Sequence, residues 1–193
     1  MASTVLYMSM SLDGYIAGPN DNPGNPGGDG FDRLHDWMWT EDWKIRPGVP
    51  TEFRQEWDRT GALIAGRRTA EQVNHWNGDN HNGVPIFIVS HRPPDPAVAE
   101  FPLVHYVTDI ESAVAQALAA ARGEDVLMHG ASVAQRALES GVLDELQVHL
   151  VPVLFGGGLR LFDVLPDRVE LDVMRVIDTP EATHLRYRVR QNS

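Results

Sequence analysis

The chain of 193 residues contains no cysteine, so disulfides and thiolate metal sites are excluded. That absence suits a cytoplasmic protein. No apolar run approaches the roughly 20 residues that a membrane span needs, and Met-Ala-Ser-Thr leads into a strand-like run instead of a basic, then apolar, signal peptide. Positive charge is scarce: 16 Lys and Arg stand against 27 Asp and Glu, a net charge of −11. Binding to nucleic acid or to an anionic membrane is therefore not expected. Familiar motifs are missing too. No Gly-x-Gly-x-x-Gly follows the first strand, which argues against a Rossmann dehydrogenase. No Gly-x-Ser-x-Gly elbow is present, which argues against a serine hydrolase. His75, Asp79 and His81 match no usual ligand spacing, so no metal is expected.

Hydrophobic residues make up 42% of the chain, enough for one packed domain spanning 1–193. Thr4 to Leu12 reads as a strand by its alternation. Gly18 to Gly30 is too rich in Gly, Pro and Asn for helix or strand, and reads as a mobile loop at the edge of a site. Phe31 to Trp39 reads as a short helix, and Thr51 to Trp57 as another with Thr51 as its N-cap. Strands are expected at Ala62–Ala65, Pro85–Ser90, Leu103–Val107 and Asp125–Met128. Helices are expected from Arg68 to Val73, from the cap Asp109 to about Arg122, and from the cap Ser132 to Ser140. This alternation predicts an α/β fold with a largely parallel sheet and helices on both faces. Glu145–Leu154, Val169–Ile177 and Ala182–Arg190 follow without clear helices, which predicts antiparallel edge strands.

Three segments stand where a strand runs out: Gly66-Arg67-Arg68-Thr69, Ser90-His91-Arg92 and Gly130-Ala131-Ser132-Val133. Such places bind phosphorylated ligands, because helix N-termini offer free N–H groups at a positive dipole end. Glycine lets backbone approach phosphate closely. Arginine grips a phosphate monoester with forked hydrogen bonds. A dinucleotide with an extra phosphate, NADP in preference to NAD, fits the set. The competing readings are plain surface arginines, an ordinary strand-to-helix turn at Gly130 and a simple N-cap at Ser132.

These motifs, with Ser11-Leu12-Asp13-Gly14-Tyr15-Ile16-Ala17 and the run Val151-Pro152-Val153-Leu154-Phe155-Gly156-Gly157-Gly158-Leu159-Arg160-Leu161-Phe162, resemble the dihydrofolate reductase-like fold. More narrowly, the chain resembles stand-alone relatives of the reductase domain of riboflavin-biosynthesis deaminase-reductases. The resemblance runs from Val5 to Val189. It implies a three-layer α/β/α domain with a central mixed sheet. It also implies NADPH as cofactor and hydride transfer to a pterin- or pyrimidine-type heterocycle. By position, it assigns Ile16 and Ala17 to the nicotinamide. Gly66, Arg67, Arg68 and Thr69 go to the coenzyme phosphates, and Ser90, His91 and Arg92 to the 2′-phosphate and adenine end. Gly130, Ala131, Ser132 and Val133 go to the pyrophosphate turn, with Ala131 where folate reductases carry a second glycine.

In the folate enzymes an acidic residue on the first helix holds the substrate. Asp36 is the first candidate here, Asp32 the second, and Asp13 a third beside the expected nicotinamide. Each also reads as solvated helix face or, for Asp13, as a turn former with Gly14. Phe31, Trp37, Phe155 and Gly157 are the expected substrate contacts, with core packing as the alternative for the aromatics. A homodimer is expected because many relatives pair through sheet edges or late strands. The run Val148 to Phe155 reads as a pairing surface or as a buried strand. The alternative to a reductase is a non-catalytic NADP(H)-binding module that has lost its substrate site.

Overall fold

The structure, a computed structural model, describes residues 2–42, 44–163, 165 and 167–190. Its centre is an eight-stranded sheet. The strands are β1 (Thr4–Ser11), β3 (Thr60–Gly66), β4 (Ile86–Val89), β5 (Val104–Val107), β6 (Asp125–His129), β7 (Glu145–Val151), β9 (Leu171–Asp178) and β10 (Thr183–Val189). They lie in the order β5-β4-β3-β6-β1-β7-β10-β9. Pairing is parallel from β5 through β7 and antiparallel from β7 through β10 to β9. A small second sheet joins β2 (Tyr15–Ala17) to β8 (Leu159–Arg160).

The apolar runs explain the layering. Strand β3 is buried from Ala62 to Gly66, as a parallel strand covered on both faces must be. Helices α3 (Ile110–Ala120) and α4 (Ala131–Glu139) cover one face and bury Ala113, Ala117, Val133 and Ala137. Helices α1 (Thr51–Asp58) and α2 (Arg67–Gln72) lie on the other, where Phe53 and Ala70 are fully buried. The three-layer α/β/α arrangement with an antiparallel edge is the one the sequence predicts.

Asp109 caps α3 as expected, its carboxylate accepting from Ser112 N–H at 2.8 Å. Two other caps differ. Pro50 occupies the cap of α1, and Thr51 is its first helical residue. Gly130 occupies the cap of α4, so Ser132 lies inside the first turn and its hydroxyl is released from capping. The expected helix over Phe31–Trp39 is a 3-10 turn, Phe31–Leu34, followed by turns. Trp37 and Met38 are adjacent and both buried, and Trp39 bridges to Ile45, which pulls the backbone out of helical register. The run from Val148 is a central buried strand as far as Val151.

Candidate active site at the strand ends

The three turns follow β3, β4 and β6, which are neighbours, with β3 between the other two. All three strands run the same way, so the turns share one end of the sheet. Two of them interlock. A β-carbon on Gly130 would lie 2.7 Å from Thr69 Oγ1, and one on Gly66 would lie 3.0 Å from Ser132 Oγ. Gly130 has φ +98, a conformation side chains disfavour. Among the described residues no side chain caps α4, so the N–H groups of its first turn are open to a ligand. Ser132 is exposed beside them, while Ala131 and Val133 are buried beneath.

The three arginines differ in employment. Arg67 is a bracket between turns: its guanidinium donates to the carbonyls of Pro93 (2.7 Å) and Arg92 (3.2 Å) and to Glu71 Oε1 (2.5 Å). Arg68 pairs with Asp21 in the Gly18–Gly30 loop. Arg92 is exposed, and among the described residues its side chain has no hydrogen bond or ion pair. Its backbone N–H donates to Ser90 Oγ at 3.1 Å, and that hydroxyl donates to Arg92 O at 3.0 Å, which closes the turn. His91 is exposed at its tip.

The Gly18–Gly30 loop has internal structure. Gly18 N–H donates to Gly27 O, and Asp29 N–H to Pro19 O, both at 2.8 Å. Asp21 Oδ1 accepts from Gly27 N–H at 3.1 Å and from Gln72 Nε2 at 2.8 Å, so the loop is docked on α2 beside the turns. Its glycines permit contact of backbone with backbone: a β-carbon on Gly28 would meet Gly18 O at 2.3 Å.

Ile16 and Ala17 are buried in β2. Gly158 (φ +121) lies against Ala17, where a β-carbon would stand 2.0 Å from Ala17 O. Asp13 binds this corner together. Its carboxylate accepts from Ser11 Oγ (2.7 Å), Phe155 N–H (3.1 Å) and Gly156 N–H (2.7 Å). The Ser11 hydrogen bond, then the two backbone donors, hold its pKa down at about 2, below the ordinary 3.8. Such a carboxylate is an anchor and a poor proton donor. Phe155 and Gly157 are half-buried at the same corner, and Phe155 faces Gly30. Phe31 is half-buried, with its ring 4.6 Å from that of His35.

Asp36 is half-buried, and Asp32 is exposed one turn earlier. Neither carboxylate has a hydrogen bond or ion pair among the described residues. Trp37 is core: Nε1 donates to Ser9 Oγ at 2.9 Å, and the ring lies 4.2 Å from that of His149. His149 and His184 are buried with their Nδ1 atoms 2.7 Å apart, so one Nδ1–H donates to the other.

Sequence reasoning missed His129, the last residue of β6 and the one before Gly130. It lies level with Ala65 of β3, and its ring is 6.1 Å from that of Tyr7 and 6.4 Å from that of Trp76. Its Nε2 is buried without a hydrogen-bond partner among the described residues. Burial, then repulsion from His35 and His81, pushes its pKa down to about 4. A histidine closing an apolar strand beside a turn glycine was the available signal.

No helix among the described residues is long and apolar enough to cross a membrane. A comparison with curated proteins found no match. Solved structures share the fold. A putative riboflavin biosynthesis protein from Shewanella sp. PV-4 is 24% identical, with TM-score 0.75 over 98% of this chain and 99% of its own. A pyrimidine reductase-like protein from Corynebacterium diphtheriae is 15% identical, with TM-score 0.59 over 99% of this chain and 93% of its own. A diaminohydroxyphosphoribosylaminopyrimidine deaminase/5-amino-6-(5-phosphoribosylamino)uracil reductase from Thermotoga maritima is 15% identical, with TM-score 0.62. That match covers 98% of this chain and 57% of the Thermotoga chain. The fold is thus the dihydrofolate reductase-like one that these structures share. The family model described as the RibD C-terminal domain matches residues 3–185, and the chain belongs to that family.

Proposed function

We propose that the protein is an NADPH-dependent oxidoreductase that transfers a hydride to a pterin- or pyrimidine-type heterocycle. The observation that carries this reading is the row of three turns on adjacent strands, two of them interlocked through Gly130–Thr69 and Gly66–Ser132. The uncapped first turn of α4 and the exposed Ser132 hydroxyl suit a diphosphate. The unengaged guanidinium of Arg92 suits the additional monoester that separates NADP from NAD. Arg67 supports this by holding the Ser90–Arg92 turn against α2. Arg68 holds the loop through Asp21. Ile16 and Ala17 would flank the nicotinamide, and Phe31, Phe155 and Gly157 the substrate. The coenzyme supplies the hydride when bound. The protein's part is to position the two rings and exclude water. Asp36, half-buried and without a carboxylate partner among the described residues, is the first candidate to hold the substrate, and Asp32, exposed, the second.

The second reading is a binding module without turnover. Two observations favour it: Trp37 is packed into the core, and the Asp13 carboxylate is fully employed. NADPH oxidation followed at its near-ultraviolet band, with dihydrofolate and with pyrimidine substrates, separates the two. Turnover supports the reductase, tight binding without turnover supports the module, and no binding contradicts both.

A homodimer fits the edge of the sheet. Strand β9 is the outer strand and exposes Val173, Met174 and Val176. Light scattering that gives a monomer at all concentrations would contradict it.

A further inference from the structure

Arg68 and Asp21 form an uneven pair. The Asp21 side chain is 6% exposed and that of Arg68 57%. Asp21 is the covered partner. Its carboxylate accepts from the Arg68 guanidinium, from Gln72 Nε2 at 2.8 Å and from Gly27 N–H at 3.1 Å. A guanidinium, a side-chain amide and a backbone N–H converging on one oxyanion form a donor set that suits a phosphate equally well. Arg68 is the open partner. Its Nη2 is engaged with Asp21, and its Nε and Nη1 have no hydrogen bond among the described residues. Half of the fork is thus free, in the turn that follows β3.

The loop that carries Asp21 holds its own shape. Asp29 accepts from Asn20 Nδ2 at 2.7 Å and from Asn25 Nδ2 at 2.9 Å, and Gly18 N–H donates to Gly27 O at 2.8 Å. Its ends rest on the Asp13 corner, Gly18 against Gly158 and Gly30 facing Phe155. Every hydrogen bond between the loop and α2 among the described residues ends on Asp21. One residue therefore latches a preformed loop to the helix after β3, and its release leaves the loop's internal bonds to Asp29 in place.

We propose that Asp21 is an internal anion that competes with a ligand phosphate for Arg68: the carboxylate holds the guanidinium in the free protein, and an arriving phosphate takes its place and unlatches the loop. The proposal rests on the coenzyme reading for the identity of the anion. The free half of the Arg68 fork admits a phosphate before the carboxylate leaves. Two anions then share one cation, an arrangement that like-charge repulsion disfavours. The carboxylate is the one that yields, because it rides on a loop whose hydrogen bonds to α2 all end on Asp21. Linkage makes the effect reciprocal: phosphate loosens the loop, and a loop without its latch leaves Arg68 a tighter site for phosphate. An arginine that Asp21 merely oriented would show the opposite sign, with phosphate binding weakened when the carboxylate is removed.

The test is hydrogen exchange across residues 18–30 of the full chain, free and with saturating inorganic pyrophosphate at one ionic strength, together with NADPH fluorescence titrations of the wild type and of Asp21→Asn. Pyrophosphate carries the charge without the rings, so the exchange it causes is not masked by a coenzyme lying over the loop. It is expected to quicken exchange several-fold, first at Gly27 N–H, whose acceptor it dislodges. Asp21→Asn should bind NADPH about tenfold more tightly than the wild type. Its loop, already quick to exchange, should respond little to pyrophosphate. NADPH binding that is equal or weaker in Asp21→Asn, or wild-type loop exchange that pyrophosphate slows or leaves unchanged, overturns the proposal. The wild-type exchange decides this even if the variant fails to fold. The coenzyme reading is judged separately: NADPH binding with a loop silent toward pyrophosphate overturns this proposal alone, and a loop that answers pyrophosphate in a chain that binds no NADPH overturns the reading and keeps the latch.

Discussion

Gly130 and Thr69 approach so closely that a β-carbon on Gly130 would stand 2.7 Å from the threonine hydroxyl oxygen. The turn after β6 can lie against the turn after β3 only because position 130 is glycine. Gly130→Ala is therefore expected to destabilise the fold by about 1–3 kcal/mol, from positive φ and from the collision together. Thr69→Ala in the same chain should recover the collision part only. Denaturant midpoints of the two single variants and the double variant measure both contributions.

Arg92 and Arg67 should behave differently. Arg92→Ala is expected to weaken NADPH by about 1.5–3 kcal/mol and to leave NADH nearly unchanged, since only NADPH carries the extra monoester. Arg67→Ala removes a bracket between two turns, so it should weaken both coenzymes alike. Paired fluorescence titrations check this. Equal losses for both coenzymes in the Arg92 variant would contradict its role.

Asp13 makes a prediction at acid pH. Its folded pKa, about 2, is depressed below the ordinary 3.8. The unfolded chain therefore takes up the proton first, and stability from this group is present above pH 3.8 and lost as pH falls toward 2. Asp13→Asn should flatten the acid limb of the stability curve in that interval. It should also speed amide exchange at Phe155 and Gly156, whose N–H groups Asp13 accepts.

The buried imidazole pair titrates higher. Burial is the main cause that holds His184 down at about 4 and His149 well below its ordinary 6.5. The unfolded state then binds protons that the folded state refuses, so stability is full above pH 6.5 and falls as pH drops toward 4. His184→Gln should reduce that slope, measured as urea midpoints across the interval.

Much of the fold was legible because it depends on local pattern. The apolar runs of β3, β4 and β6 and the Asp109 cap announce buried strands and a helix start without reference to anything distant. What was not legible depends on partners far along the chain. Arg67 reads as a phosphate ligand, and nothing near it in the sequence announces that its guanidinium donates to the carbonyls of Arg92 and Pro93, 25 and 26 residues away. Ser132 reads as an N-cap until Gly130, at φ +98, takes that place. Trp37 reads equally as a substrate contact and as core packing, and only Ser9 and His149, distant in sequence, decide for the core. The left-handed run Asn74–Asn77 has only a polar composition to show, and its His75 meets Tyr106 and Phe101, which lie far along the chain.

The loop docked by Asp21 should respond to one substitution. Asp21→Ala removes the acceptor of Arg68, Gln72 and Gly27 N–H. Hydrogen exchange across residues 18–30 is expected to quicken, with the strands of the sheet unaffected.

The most direct measurement is an amide shift map of the full chain during titration with NADPH. The account predicts saturable changes grouped at Gly66–Thr69, Ser90–Arg92 and Gly130–Val133, with smaller ones at Ile16 and Ala17. Changes confined to other surfaces, or none with the coenzyme at millimolar concentration, would contradict it.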